Sequence, residues 1–295
     1  MIIRSQSGFF TVQTEEDPLV CRLRGRLKRG ARKGDIATIG DRVEVSRLNE
    51  TEGMIEEIEP RRREISRLAP LPQGEYLQII IANPDQAVFV FACAEPSPRL
   101  RMLDRFLVIA EKQQIPALIV ANKVDLAGME AARNLFERYT AIGYAVIYTS
   151  VKSGEGIEAL HQRLSGVISA LAGPSGVGKS SLLNAIQPGL GLEIQKISHA
   201  TGKGRHTTVV SEMFPLKDGG YVADTPGLRA LALWDIEPEE LDSYFPEIKG
   251  LVADCAFSNC THSHEPGCAV RTAVNSGHIH PERYDSYIRL RSNKE

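Results

Sequence analysis

Little in this chain of 295 residues is extreme, and each shortage argues against a class of protein. Cysteine is scarce: Cys21, Cys93, Cys255, Cys260 and Cys268 make an odd set of five. Met1 to Phe10 has neither a long apolar core nor a cleavage-site pattern, so no signal peptide is expected. Together these argue against a disulfide framework and for a reducing, cytoplasmic setting. Long hydrophobic runs are also missing. The most apolar stretch, Leu77 to Ala94, is interrupted by Asn83-Pro84-Asp85-Gln86, which leaves no run of about 20 residues to span a membrane. Charge of one sign is absent too. The formal net charge of −2 gives no global sign of a nucleic-acid partner, so charge has to be read locally. With 42% hydrophobic and 24% charged residues, the composition is that of an ordinary soluble chain long enough for two or three domains.

What is present falls into three stretches. Residues 1–68 carry short alternating runs, such as Asp41-Arg42-Val43-Glu44-Val45 and Met54-Ile55-Glu56-Glu57-Ile58, between glycine, asparagine and charged turns. They predict a small β-barrel. Within them, Cys21 to Lys33 holds seven basic residues and no acidic one. Arg22, Arg24, Arg26 and Lys28 are two apart, so on a strand all four share a face. That face is either a charged edge that discourages mispairing or a surface for RNA phosphates.

Residues 69–232 alternate strand and helix. Buried strands are expected at Gln86–Cys93, Ile115–Ala121, Tyr144–Tyr148 and Val167–Ala172. Helices are expected at Leu100–Lys112, Glu130–Ile142, Ile157–Leu164 and Lys179–Ile186. This is a doubly wound α/β domain whose ligand belongs at the carboxyl ends of its strands. Residues 233–295 lose the alternation. Pro238–Phe245 and Pro281–Arg291 read as helices on either side of a Cys/His cluster.

Two motifs stand in reversed order. Gly173-Pro174-Ser175-Gly176-Val177-Gly178-Lys179-Ser180, followed by Ser181, fits a phosphate loop between a strand and a helix. Its glycines admit phosphate oxygens to backbone N–H groups, and the helix N-terminus faces the same anion. Lys179 reaches the β- and γ-phosphates, and Ser180 ligates Mg²⁺. Asn122-Lys123-Val124-Asp125 comes earlier in the chain and reads as a guanine-recognising N-K-x-D. A carboxylate there takes a two-pronged pair from guanine that adenine does not offer. Ser150-Val151-Lys152 follows a strand and resembles the S-A-K loop that contacts the guanine carbonyl. In an ordinary GTPase the phosphate loop comes first, so this chain is cut elsewhere.

Asp224-Thr225-Pro226-Gly227 follows the phosphate loop. There Asp224 belongs in the Mg²⁺ shell and the Gly227 N–H at the γ-phosphate. The polar loop Gly202-Lys203-Gly204-Arg205-His206-Thr207-Thr208 offers a threonine for Mg²⁺, Thr208 first and Thr207 second. The water-orienting glutamine found after Asp-x-x-Gly in many GTPases is replaced by Leu228, which cannot bind water. His206 is one candidate for that role, with an RNA-facing position as its alternative. Slow unassisted turnover and stimulation by a partner are expected.

Cys255-x4-Cys260-x-His262-x5-Cys268 offers three thiolates and an imidazole, a set suited to one tetrahedral structural Zn²⁺. His264 competes with His262 for the fourth place. His161, His199, His278 and His280 have no evident partner in the sequence and are expected on the surface.

With these residues in place, the chain resembles the RsgA (YjeQ/YloQ) family of circularly permuted GTPases. N-K-V-D, G-P-S-G-V-G-K-S, G-R-H-T-T, D-T-P-G and the spaced Cys/His cluster carry the likeness, in that order, over nearly the whole chain. The resemblance implies an OB-fold N-terminal domain, a permuted GTPase domain and a C-terminal zinc domain. It also implies GTP hydrolysis stimulated by the small ribosomal subunit and its rRNA during late subunit maturation. Leu228 does not break it, because the family carries a hydrophobic residue there. Nothing demands more than a monomer.

Overall fold

A computed structural model of the chain describes residues 1–28, 34–71, 74–191, 211–224 and 236–292. The N-terminal sheet is built from β1 (Ile2–Gln6), β2 (Phe9–Val12), β3 (Leu19–Leu23), β4 (Val43–Arg47) and β5 (Glu52–Ile58). Its order is β1-β2-β3-β5-β4, with β3 and β5 parallel, as in an OB-fold barrel. Alternation decides the faces: Leu19, Cys21 and Leu23 are buried, whereas Val20 and Arg22 point outward.

The basic stretch departs from expectation. β3 ends at Leu23, and the chain enters a 3-10 turn at Gly25–Lys28, closed by Leu27 N–H on the Arg24 carbonyl at 3.0 Å. Of Arg22, Arg24, Arg26 and Lys28, only Arg22 therefore lies on the strand. Arg24 instead pairs with Glu56 at 2.5 Å, and Arg26 donates to the Glu56 carbonyl at 2.9 Å. The four side chains do not form one strand face.

A hairpin of β6 (Glu64–Leu71) and β7 (Gly74–Ala82) leads from barrel to α/β domain. The expected boundary after residue 68 falls inside β6.

The second sheet contains β8 (Gln86–Ala92), β9 (Ala117–Asn122), β10 (Ala145–Thr149), β11 (Ile168–Ala172), β13 (Phe214–Pro215) and β14 (Tyr221–Asp224). Its order is β10-β9-β8-β11-β14-β13, parallel except for β13. Every residue of β8 is buried, because helices cover both faces. The helices are α1 (Leu100–Lys112), α2 (Val124–Ala127), α3 (Met129–Ala141), α4 (Ile157–Leu164) and α5 (Lys179–Ile186). A two-residue strand, β12 (Ser211–Glu212), crosses back to extend the barrel sheet beside β1.

The C-terminal region holds a 3-10 turn at Leu241–Tyr244, α6 (Pro246–Lys249), a 3-10 turn at Val252–Asp254, α7 (Ala269–Asn275) and α8 (Pro281–Arg291). The helix expected over Pro238–Phe245 is only that first turn, since Pro246 disfavours helical backbone at Phe245 and restarts the chain as α6. α8 begins with Pro281 at its first position, capped by His280.

Candidate nucleotide site and metal cluster

The carboxyl ends of β8, β9, β10 and β11 meet at one rim of the α/β sheet. β11 ends at Ala172, the loop 173–178 turns over, and α5 starts at Lys179. Two of its glycines are fixed by close approach. Gly173 has φ +155°, and a Cβ there would overlap the Val90 carbonyl oxygen. Gly178 has φ +98°, and a Cβ would stand 2.5 Å from Asn122 Nδ2. A side chain at Gly173 would push on backbone, and one at Gly178 would displace the Asn122 amide and strain a left-handed backbone.

That second approach joins the two motifs. Asn122 is 2% exposed. Its Nδ2 donates to the Val177 carbonyl at 2.8 Å, and its Oδ1 accepts from Thr149 Oγ1 at 3.0 Å. Asn122 thus ties the N-K-x-D strand to the phosphate loop on one side and to β10 on the other. Lys123, at φ +63°, donates to the Gly176 carbonyl at 2.8 Å and to the Glu95 carbonyl. Asp125 projects outward at the rim, where the buried Ser150 hydroxyl donates to its Oδ1 at 2.6 Å. One carboxylate oxygen is thereby positioned while the group stays accessible. Val124 packs into the core, whereas Val151 and Lys152 are exposed.

Lys179 Nζ folds back on the loop, donating to the carbonyls of Gly173 at 2.8 Å and Pro174 at 3.1 Å. Ser175, Gly176 and Ser181 are exposed, and Ser180 is half-buried. Pro96–Arg99 forms a wall opposite Pro174, Ser175 and Val177 around a cavity of about 140 Å³. β14 runs beside β11 and closes at Asp224, pairing Leu171 with Asp224. The Asp224 side chain, the loop 202–208 with His206, Thr207 and Thr208, the residues Gly227 and Leu228, and His199 lie outside the described residues. Sequence reading passed over Thr149 and the Glu95 carbonyl. Thr149 adjoins Ser150 and could have been suspected; a backbone carbonyl from another loop leaves no sequence signal.

The metal cluster lies at the far end of the chain. One ligand atom each from Cys255, Cys260, His262 and Cys268 falls within 4.8 Å of all the others. His262 Nδ1 faces the sulfurs, 3.5 Å from Cys255 Sγ and 3.4 Å from Cys268 Sγ. Its Nε2 is buried with no hydrogen bond and faces Asp242 Oδ2 at 3.8 Å. Burial pushes the imidazole below its usual range, which favours the neutral ring a metal ligand needs. The donor set and its crowding fit a metal ion. A carboxylate behind the outer ring nitrogen is a common support for such a ligand. His264 is exposed, with Nδ1 against Ser263 Oγ at 2.9 Å, and is not part of the cluster.

Of the other described histidines, His278 and His280 are exposed as expected and His161 is half-buried, and each has a partner that the sequence did not show. His161 Nε2 stands 3.0 Å from Asp218, His278 Nδ1 meets Ser276 Oγ at 2.7 Å, and His280 Nδ1 accepts from Glu282 N–H at 3.2 Å.

A parallel sheet with a phosphate loop on β11, and a base-reading motif on a strand earlier in the chain, defines a circularly permuted GTPase, an enzyme that hydrolyses GTP. Comparison with known proteins gives the family. The RsgA GTPase model matches residues 58–234, and the RsgA N-terminal domain model matches residues 1–55. The chain belongs to the RsgA GTPase family. It is 46% identical over 295 residues to the small ribosomal subunit biogenesis GTPase RsgA of Gemmatimonas aurantiaca, covering 99% of this chain and 95% of that protein. Among solved structures it is similar to YjeQ from Thermotoga maritima, with 36% identity, TM-score 0.78, and 99% and 97% of the two chains covered. YloQ, described as a circularly permuted GTPase, matches at 33% identity and TM-score 0.74, covering 99% and 93%. Among the described residues no helix is long and apolar enough to cross a membrane.

Proposed function

We propose that this GTPase acts on the small ribosomal subunit: it binds rRNA, is stimulated by the subunit, and assists late subunit maturation. The name of the Gemmatimonas relative supports that setting. The single observation that carries the nucleotide site is the Asn122 side chain, bonded at once to the phosphate loop and to β10. Guanine is read by Asp125, with Ser150 fixing the carboxylate and Val151 and Lys152 presenting backbone N–H groups at the base. Asn122 and Lys123 hold the base loop and the phosphate loop at constant separation. Backbone N–H groups from Gly173 to Ser181 cradle the phosphates, and Lys179 exchanges its contacts with the Gly173 and Pro174 carbonyls for phosphate oxygens.

Ser180, Asp224 and Thr208 would hold Mg²⁺, which supplies positive charge against the β- and γ-phosphates when bound. Gly227 N–H would report the γ-phosphate. Leu228 cannot orient water, so His206 or a group from the subunit does so. Cys255, Cys260, His262 and Cys268 would hold one Zn²⁺ with no open position, a structural role. Arg22, Arg24, Arg26 and Lys28 supply a basic region for rRNA. In this reading residues 1–68 are the RNA-binding domain, 69–232 the GTPase domain and 233–295 the zinc domain of a cytoplasmic monomer.

Multiple-turnover phosphate release with and without purified small subunits tests the proposal. Stimulation is expected, and Lys179→Ala abolishes it. Turnover unchanged by subunits, with GTP still bound, would instead favour a nucleotide-gated RNA-binding module, the reading that Leu228 invites.

A further inference from the structure

We infer that a cavity between the C-terminal ends of α1 and α3, at the rim of the α/β sheet opposite the nucleotide, binds a small alkylammonium cation, a free di- or polyamine. The inference does not depend on the ribosomal reading above. Helices that run antiparallel to the strands of such a sheet end where the strands begin. α1 and α3, of 13 residues each, therefore bring their C-termini to the starts of β9 and β10. Each C-terminus carries the negative end of a helix dipole, roughly half an elementary charge. Between them lies a cavity of about 370 Å³, lined by Glu111, Gln114, Ile115, Ile142 and Tyr144, with Pro246 of α6 beside them. That volume falls within the range of pockets that hold whole small molecules, roughly 300–1,000 Å³.

A carboxylate is set into its wall. Tyr144 is buried, and its hydroxyl donates to Glu111 Oε1 at 2.9 Å. The half-buried Glu111 is thereby held in one orientation, and among the described residues it joins no ion pair. The cations near it are turned elsewhere. Lys112 faces Glu240 at 3.8 Å, and Arg283, whose charge is felt at Tyr144, is held by Asp104 and Glu247. One full negative charge and two dipole ends of the same sign thus face the cavity.

The walls select the class of cation. A divalent metal ion such as Ca²⁺ takes about six or more oxygen ligands. Here a single carboxylate stands among hydrocarbon from Ile115, Ile142 and Pro246. A methylene stem lies well on such a wall while its ammonium meets Glu111 Oε2 in a charge-assisted hydrogen bond. A second ammonium on the same stem stays hydrated at the mouth, where Gln114 is exposed. Because Pro246 belongs to the C-terminal region and the other lining residues to the α/β domain, an occupant touches both sides of that junction.

Isothermal titration calorimetry of spermidine and cadaverine into the full, nucleotide-free chain at constant ionic strength tests this. Saturable binding is expected, with a higher melting temperature for the bound chain. Glu111→Gln keeps an acceptor for Tyr144 and removes the charge, so amine affinity should fall about tenfold. Gln114→Lys, at an exposed position on the mouth, should also weaken binding without lowering the melting temperature of the free chain. It decides the matter should Glu111→Gln fail to fold. Equal amine affinity in the unsubstituted chain and in Gln114→Lys and Glu111→Gln overturns the site and assigns the amines to general surface charge. Absence of saturable binding to the unsubstituted chain overturns it as well. Tighter binding of a blocked lysine, N-acetyl-lysine methylamide, than of either amine would give the pocket to a side chain of a partner protein and overturn the inference.

Discussion

The barrel and the metal-cluster region join the same α/β domain by different chemistry. The barrel joins mainly through backbone and apolar surface. Ala82 N–H donates to the Ile39 carbonyl at 2.9 Å, Met213 N–H to the Ile3 carbonyl at 2.8 Å, and Asn83 Nδ2 to the Gly40 carbonyl at 3.1 Å. Ile2, Ile65, Ile81 and Phe89 belong to one continuous core. The C-terminal region packs Val108 of α1 into an apolar cluster with Leu241, Phe245, Ile248 and Tyr287 and adds buried charge across the junction. Arg283 of α8 is 2% exposed and pairs with Asp104 of α1 and Glu247 of α6, each at 2.7 Å. Tyr139 and Ser286 complete the hydrogen bonds of Asp104, and the guanidinium lies 4.6 Å from the Phe245 ring centroid. Backbone pairing tolerates many side chains. A buried ion pair tolerates almost none, since either partner left alone is a stranded charge. The C-terminal junction is therefore specified by particular charged side chains, whereas the barrel junction is specified by close backbone approach: a Cβ at Gly40 would stand 1.9 Å from the Ala82 carbonyl oxygen.

The largest test of that contrast is Asp104→Ala. It strands Arg283 with Glu247 alone and should cost about 3–5 kcal/mol. Thermal unfolding would register the loss, and limited proteolysis should cut first in 236–292. The double variant Asp104→Leu/Arg283→Met should recover part of it; no recovery would mean the pair is not the clamp. Next comes Asp242→Asn. If the carboxylate orients His262, metal affinity should fall about tenfold in chelator competition, with nucleotide affinity unchanged. On the barrel side, Arg4→Ala removes a pair with Glu212 at 3.7 Å whose partners are 44% and 22% exposed. It should cost no more than about 1 kcal/mol. A larger loss would mean that the barrel, too, is held by charge.

What was legible in the sequence follows the same divide. α1, α4, α5 and α8 begin and end where helical periodicity and the N-terminal proline of α8 place them. Both nucleotide motifs sit at strand ends because their loops need glycine or a buried amide, which residue types announce. The strand expected from Asp41 begins instead at Val43. Asp41 Oδ2 accepts from Thr38 N–H at 2.8 Å, and the Asp41 carboxylate pairs with Arg61, which holds it in a turn. That partnership spans twenty residues and has no local signature. β12 is two residues long and pairs with a strand some two hundred positions away, so no periodicity could reveal it. Arg283 reads as one more arginine on a polar helix; only packing against α1 gives it meaning.

The smallest prediction separates the two junctions by pH. His280 caps α8 by accepting from Glu282 N–H through Nδ1, which requires a neutral ring. Burial, then the nearby Arg138 guanidinium, holds its pKa below the usual histidine value, against the opposing carboxylates of Glu282 and Asp104. A group with a depressed folded pKa binds protons more readily when unfolded. Its contribution is therefore complete above the unfolded pKa of about 6.5 and is lost as pH falls through the folded value. Protonation turns the acceptor into a donor and sets a positive charge at a helix N-terminus, where the dipole disfavours it. α8 should lose about 0.5 kcal/mol of protection, seen as lower amide protection factors at pH 5.5 than at pH 7 once the intrinsic pH dependence of exchange is divided out. His280→Asn keeps the cap without titrating, so its protection factors should not respond to that change, beyond whatever the Cys/His cluster contributes equally to both proteins. The barrel junction, built mainly from amides and hydrocarbon, should show no such step. Equal loss of protection in β1 and α8 would remove the distinction between a junction that relies on buried charge and one that relies mainly on backbone.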